Sequence, residues 1–261
     1  MHCYRCLCCR SHDRRPRGSM ANRSYGQHCG LAYALDLVGE RWSLLIIREL
    51  LTGPKRFKSL LTQLPGIGPT LLTARLRKLT AEGIVHHATL PPPASVGAYA
   101  LTDRGEALRP SLVHLTRWGL ESLPDAADDE AFHPGSALMM LQAAFREEVS
   151  TGVFDEVEFW VGDDTFYIVI RDGSLETRLG TAPRPHCVIR SDPATFRMVL
   201  SGEYGLREAA RSGRLSVSGG ADTWNRTVSA LDFASLRART DNELPTIDLT
   251  GRHAPRPTRL R

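Results

Sequence analysis

Residues 53–82 read GPKRFKSLLTQLPGIGPTLLTARLRKLTAE. Phe57, Leu60 and Leu61 recur at helical spacing over 56–64. Leu72, Leu76 and Leu79 do the same further on, and Pro65-Gly66 supplies a turn between the two patterns. Gly68 stands at an N-cap position with Pro69 at the first helical position, a favourable start for the second helix. The polar positions are dense in cations. Between Arg41 and Leu79 eight Lys/Arg face one acid, Glu49, so this segment carries +7 while the whole chain carries +4. Basicity concentrated on two short helices joined by a turn is the pattern of a helix-turn-helix with a nucleic-acid footprint.

The flanks extend this reading. Upstream, helical periodicity begins near Cys29, breaks at Gly39 and resumes from Trp42 to Leu50 before Gly53-Pro54 ends it. Downstream, Gly83 closes the second helix. Residues 84–90 and 98–101 then read as strands around an uncharged, Pro-rich tip, a hairpin suited to be a wing. Residues 102–122 read as one helix capped by Thr102 or Asp103, apolar at Leu108, Leu112, Leu115 and Leu120.

A chain of 261 residues, 42% hydrophobic, has material for two cores. The charge reverses between Glu121 and Asp172, where thirteen Asp/Glu face only Arg146 and Arg171, so this stretch would repel phosphate. The expected organisation is a disordered leader over 1–22, a winged helix-turn-helix over 23–123 and an acidic, Pro-bracketed linker over 124–134. A second domain over 135–238 and a largely disordered Arg- and Pro-rich tail over 239–261 complete it. The second domain reads as a helix over 136–150, alternating strands around Val157, Phe159, Val161 and Phe166, Ile168, Ile170, and further strands at 174–180 and 186–190. Helices at about 192–201 and 204–211, a strand at 213–218 and a helix at 222–233 follow. The fold class is therefore α+β: a mainly α winged domain with a β-hairpin, then an α+β domain whose antiparallel sheet is packed by helices. No run approaches the roughly 18 apolar residues that span a bilayer, and no apolar signal segment opens the chain, so a cytoplasmic protein without membrane partners is expected. Cys3, Cys6, Cys8 and Cys9 crowd the leader at a spacing that matches no zinc pattern, and Met20 offers an alternative start.

Burying Leu72, Leu76 and Leu79 turns Thr70, Thr73, Ala74 and Arg77 outward, where a major groove would receive them, with Pro69 and Lys78 at the margins of the same helix. Arg77 is the candidate for a bidentate guanine contact. Thr70 and Thr73 are candidates for donating to phosphate or touching a thymine methyl. Lys55, Arg56 and Lys58 open the preceding helix, where a clamp on the phosphate backbone belongs. Double-stranded DNA is the expected partner.

Over roughly residues 25–122 the chain resembles the HxlR family of winged helix-turn-helix transcriptional regulators. The likeness rests on Cys29, on Leu37-Val38-Gly39-Glu40-Arg41-Trp42 and Leu45-Ile46-Ile47-Arg48-Glu49-Leu50, and on Gly53-Pro54-Lys55-Arg56-Phe57. Leu64-Pro65-Gly66-Ile67, Leu72-Thr73-Ala74-Arg75-Leu76 and Tyr99-Ala100-Leu101-Thr102 continue it. The resemblance implies a homodimer, paired through the first and last helices of the domain, on an inverted-repeat operator. It also implies a candidate sensor of electrophiles or oxidants at Cys29, beside a helix N-terminus that lowers a thiol pKa. Two departures are visible. The family's wing arginine is absent from the uncharged tip, and Gly68 occupies a cap position where Ser is common.

The second domain resembles the sterol-carrier-protein type 2-like domain: a capped helix at Asp192, the Ser201-Gly202 break, a short helix, a Gly-Arg-Leu-x-Val-x-Gly strand over 213–219 and a closing helix. The resemblance implies a five-stranded sheet with helices on one side, often around an apolar tunnel, and hence a small apolar effector or a dimer contact. Phe159, Trp160, Phe166, Phe196, Met198, Leu200 and Trp224 are the candidate lining. The chain carries no G-x-S-x-G, H-E-x-x-H or phosphate-loop pattern and no metal spacing among its histidines, so a non-enzyme without metal or cofactor is expected. The competing reading is a lipid carrier or enzyme with an accessory basic domain.

Overall fold

The computed structural model describes residues 24–90, 96–124 and 131–237. The expected leader over 1–22, the expected tail over 239–261, the wing tip at 91–95 and the linker core at 125–130 lie outside these. The chain divides into two compact units between Arg41 and Trp42.

The first unit holds helix α1 (Gly30–Val38). Asp36 ties the preceding segment to it, accepting from Ser24 Oγ at 2.8 Å and from the Tyr25 amide at 3.0 Å. Leu31, Tyr33 and Leu35 are exposed on α1.

The second unit opens with α2 (Ser43–Leu50), α3 (Phe57–Gln63) and α4 (Pro69–Ala81), close to the expected bounds. Ile46, Ile47, Leu50, Leu60, Leu72 and Leu76 are essentially inaccessible and form its helical core. The α3–α4 turn needs glycine, because Gly66 has φ +91. Trp42 caps α2 at φ +80, a conformation costing a bulky residue about 1–3 kcal/mol. The edge of its indole packs 3.5 Å from where a Gly66 Cβ would stand.

Strands β1 (Val85–Thr89) and β2 (Gly97–Leu101) pair antiparallel from Val85↔Leu101 to Thr89↔Gly97. The expected single helix over 102–122 is two, α5 (Asp103–Glu106) and α6 (Arg109–Leu120). Pro110 has no N–H to return to the turn before it, so the ladder lapses at Ala107 and Leu108. Thr102 caps α5, its Oγ1 accepting from the Gly105 amide and donating to the Gly83 carbonyl at 2.7 Å.

The remaining elements are α7 (Pro134–Ala144), a 3₁₀ turn (Glu147–Val149), β3 (Phe154–Val161), β4 (Asp164–Arg171), β5 (Ser174–Leu179) and β6 (Cys187–Ser191). Then come α8 (Pro193–Leu200), α9 (Leu206–Arg211), β7 (Leu215–Gly219), α10 (Ala221–Ala230) and α11 (Ala234–Arg237). Sheet order is β5-β4-β3-β6-β7. The expected antiparallel sheet is thus mixed: β3 and β6 run parallel, because the chain crosses back from edge strand β5 to lie beside β3. Gly162 (φ +58) turns β3 into β4, and Asp172-Gly173 (φ +45 and +77) makes a two-residue hairpin into β5. The expected helices over 136–150 and 222–233 both end early for one reason. Phe145 and Leu231 adopt extended backbone and bridge each other, with the Arg146 amide bonded to Ala230 and the Asp232 amide to Ala144.

Helix α6 belongs to both halves. Leu120 packs into the cluster built by α7, the sheet and α8–α10, and Arg117 Nε donates to the Ala143 carbonyl at 2.9 Å. No helix among the described residues is long and apolar enough to cross a membrane.

Candidate nucleic-acid interface

Helix α4 buries Leu72, Leu76 and Leu79 completely and exposes Pro69, Thr70, Thr73, Ala74 and Arg77. Gly68 is its N-cap, extended at φ −81 and ψ 155, with no side chain to bond the first turn. The open N-terminal amides lie at the same end as exposed Pro69, Thr70, Thr73 and Ala74, where a phosphate or base edge would find donors, and Arg77 stands further along the helix. Arg77 has no ion-pair partner among the described residues. Lys78 is half-buried at the flank of the same helix.

The threonines differ from each other. Thr73 Oγ1 donates to the Pro69 carbonyl at 2.9 Å, which occupies its only hydroxyl proton. The expected donation to phosphate from Thr73 therefore gives way to its methyl as the outward group. Thr70 is exposed at the second position of α4.

Of the three cations before and in α3, Arg56 and Lys58 are exposed and Lys55 is not. Lys55 is tied to the wing by its backbone: its amide donates to the Tyr99 carbonyl at 2.9 Å and the Tyr99 amide donates back at 2.8 Å, an isolated antiparallel bridge on the outer side of β2. Burial lowers the pKa of its ammonium against a weaker opposing pull from Glu49. Lys55 is therefore a joint between α3 and wing more than a phosphate clamp. Arg48, counted in the basic segment, is likewise turned inward: Nε and Nη2 bond Glu49 Oε1 at 3.1 and 2.8 Å. The sequence also did not single out His86 and His87 as interface residues; both are exposed on β1, and the His87 ring stacks obliquely on Tyr99 at 4.8 Å.

Cys29 is exposed at the N-cap of α1, and hydrogen bonds from the Ala32 and Leu31 amides hold its thiol below the ordinary value. Cys187, at the start of β6, is buried, and desolvation with the nearby Asp155 charge raises its thiol.

Of the candidate tunnel residues, the three phenylalanines are core. Phe159, Phe166 and Phe196 are inaccessible and stack on one another at 5.2–5.8 Å, with Phe132 added at 6.0–6.3 Å. Trp224 packs on the margin of this cluster, and Trp160 points to the opposite face, its Nε1 donating to Glu158 and its ring beneath Arg190. Met198 is half-buried on α8. Leu200 of the expected set lines the cleft where α2 and α6 meet α7 and α8. Alternation alone does not distinguish a filled core from a lined cavity, since both present apolar side chains on one face of a sheet.

The profile of HxlR-like helix-turn-helix proteins matches residues 37–127. The helix-turn-helix transcriptional regulator sll1512 of Synechocystis is 36% identical over 98 residues, 38% of this chain and 73% of the relative. YvaP of Bacillus subtilis is 36% identical over 88 residues, 34% of this chain and 82% of the relative. The solved structure of the reduced form of the regulator YodB from B. subtilis is 32% identical, with a TM-score of 0.33, and spans 39% of this chain and all of that one.

Proposed function

The chain belongs to the HxlR-like family of helix-turn-helix transcriptional regulators, and from that premise we propose that it binds duplex DNA sequence-specifically as a homodimer. The observation that carries the proposal is α4: one face is fully buried, and the opposite face offers Thr70, Thr73, Ala74 and an Arg77 without an ion-pair partner among the described residues. In this reading Arg77 forks onto a guanine, the Thr73 methyl and Ala74 meet thymine methyls, and Arg56, Lys58 and the α4 N-terminus hold phosphates. Lys78 flanks them. The winged region spans 23–123 and the second domain 135–238.

Dimerisation is supported by large apolar side chains left in water. Leu31 and Tyr33 on α1 and Leu115 and Trp118 on α6 are all about half exposed or more, with Trp118 at 68%. The five-stranded sheet and the helix-helix-strand-helix run of α8, α9, β7 and α10 support the sterol-carrier-like reading of the second domain. We assign that domain to effector binding or to reinforcing the dimer. Cys29, exposed and with a lowered thiol pKa, is suited to sense oxidants or electrophiles.

The test is binding of the purified chain to its own upstream DNA at two salt concentrations, against random competitor. Discrimination by orders of magnitude with a steep salt dependence is expected. Binding that follows salt but ignores sequence would leave a non-specific architectural protein instead.

A further inference from the structure

We propose that strand β5 is a self-complementary edge on which a second copy of this chain docks, its own β5 running antiparallel about a two-fold axis at Thr177 so that the two sheets become one. The inference rests on the dimer reading above and deepens it, by locating a contact in the second domain.

Strand β5 lies at one edge of the sheet and pairs with β4. The two-residue turn at Asp172-Gly173 makes Arg171↔Ser174 a hydrogen-bonded pair, and such pairs alternate along an antiparallel ladder. The Gly180 amide, donating to the Thr165 carbonyl at 2.8 Å, keeps the same phase at the far end. Ser174, Glu176 and Arg178 therefore direct their amides and carbonyls to β4. Leu175, Thr177 and Leu179 turn theirs outward, where no hydrogen bond among the described residues meets them. Edge strands are ordinarily blunted by proline, lysine or a bulge. β5 has none of these, and its six residues pair with β4 without a break.

Residues 175–179 read Leu-Glu-Thr-Arg-Leu, apolar at both ends with opposite charges either side of Thr177. About a two-fold axis there, Thr177 meets the partner's Thr177 and Leu175 meets the partner's Leu179, each as a hydrogen-bonded pair that satisfies the outward groups. Glu176 then stands opposite the partner's Arg178 in a non-hydrogen-bonded pair, where Cα atoms are about 4.5 Å apart and side chains closest. Moving the axis by one residue sets Glu176 against the partner's Glu176, or Arg178 against the partner's Arg178, and like charges directly opposite are destabilising. The charges thus fix one register. Both side chains are more than half exposed and bond each other along the strand at 2.8 Å, so pairing requires no burial to be undone. The opposite edge, β7, carries Ser216 and Ser218 and no charge to set a register. A two-fold contact of this kind closes on two chains and does not grow into a filament.

Residue-resolved amide exchange on the full chain reads this edge directly. Leu175, Thr177 and Leu179 are expected to exchange about tenfold or more slowly in wild type than in Arg178→Glu or Glu176→Arg, each of which sets like charges across the axis. Both positions are exposed, so neither substitution is expected to disturb the fold. Co-expressing the two variants restores opposite charges across the axis, and slow exchange is expected to return. Fast exchange of the three amides in wild type overturns the contact. Slow exchange that survives both substitutions assigns the edge to another segment of the same chain, and slow exchange lost in both variants but not recovered in the pair rules out the two-fold register; either result overturns the proposal. Exchange is read without DNA, so a chain that protects this edge and ignores its operator counts against the regulatory reading alone.

Discussion

The α3–α4 face and strand β3 carry charge in opposite ways. Arg56, Lys58 and Arg77 stand in solvent, with no ion-pair partner among the described residues. The acids of β3 are all engaged. Asp155, 1% exposed, takes Arg226 through two bonds of 2.7 Å and Thr223 at 2.9 Å. Glu156 accepts from the Arg184 amide at 3.1 Å, and Glu158 accepts from the Ala182 amide and Trp160 Nε1. These carboxylates pin the crossover between β5 and β6 and the helix α10 to the sheet. The three exposed cations of the basic segment thus remain available to an external polyanion, whereas the acids of β3 are used up inside the fold. Uncompensated cations retain their full attraction for phosphate, whereas bonded carboxylates contribute to stability.

The largest effect that sharpens this contrast belongs to Asp155→Asn. Losing the charge opposite Arg226 is expected to cost about 2–3 kcal/mol in urea unfolding, below the loss for a fully buried pair because Arg226 is 43% exposed. The same interaction has a pH signature. Burial pushes the Asp155 carboxyl up, but bonds from Arg226 and Thr223 and the Arg226 and His186 charges outweigh it, so its folded pKa lies below the ordinary value. The unfolded chain takes up the proton first. The stabilisation is whole above the ordinary carboxylate pKa of about 3.9 and drains away as pH falls through the lower folded value. Unfolding midpoints that converge for wild type and Asp155→Asn as pH drops would bear this out; parallel curves would break it.

Arg77→Ala is expected to act the other way round. It should remove about 1–3 kcal/mol of discrimination between operator and random DNA while moving stability by less than about 0.5 kcal/mol. A mutant that unfolds early or that keeps its preference would erase the distinction between the two regions.

A smaller effect separates cations within the basic segment. Lys58→Ala should lower the salt slope of DNA binding by about 0.9, one phosphate contact. Lys55→Ala should leave the slope nearly unchanged, because that ammonium is partly buried and its backbone is the wing's partner. Equal slopes for both variants would return Lys55 to the phosphate clamp. The last contrast is chemical: peptide mapping after brief iodoacetamide treatment at neutral pH should find Cys29 alkylated well before Cys187, whose thiol is buried and raised. Comparable labelling would mean that β6 opens as readily as the α1 cap.

Much of the helical half was legible from the chain. Leu72, Leu76 and Leu79 at helical spacing, a Gly-Pro start at Gly68-Pro69 and a turn at Pro65-Gly66 are local signals, and local signals suffice for α4. Partnership was not legible. Lys55 and Lys58 have the same type and neighbourhood in sequence, yet one faces water and the other is held under the wing by Tyr99. The early ends of α7 and α10 depended on the Phe145–Leu231 bridge between residues far apart in the chain. The parallel β3–β6 pair depended on a crossover that no alternation pattern encodes.

By itself, then, the sequence determined the helix-turn-helix, its outward face, the alternating strands and the local charge, because each follows from residue spacing and capping within a few turns of chain. Tertiary structure alone decided which charges remain available, that the aromatic cluster is filled, and that the open cleft lies where α2 and α6 meet α7 and α8. Burial and pairing are properties of elements brought together, and their energies depend on neighbours that sequence separation hides.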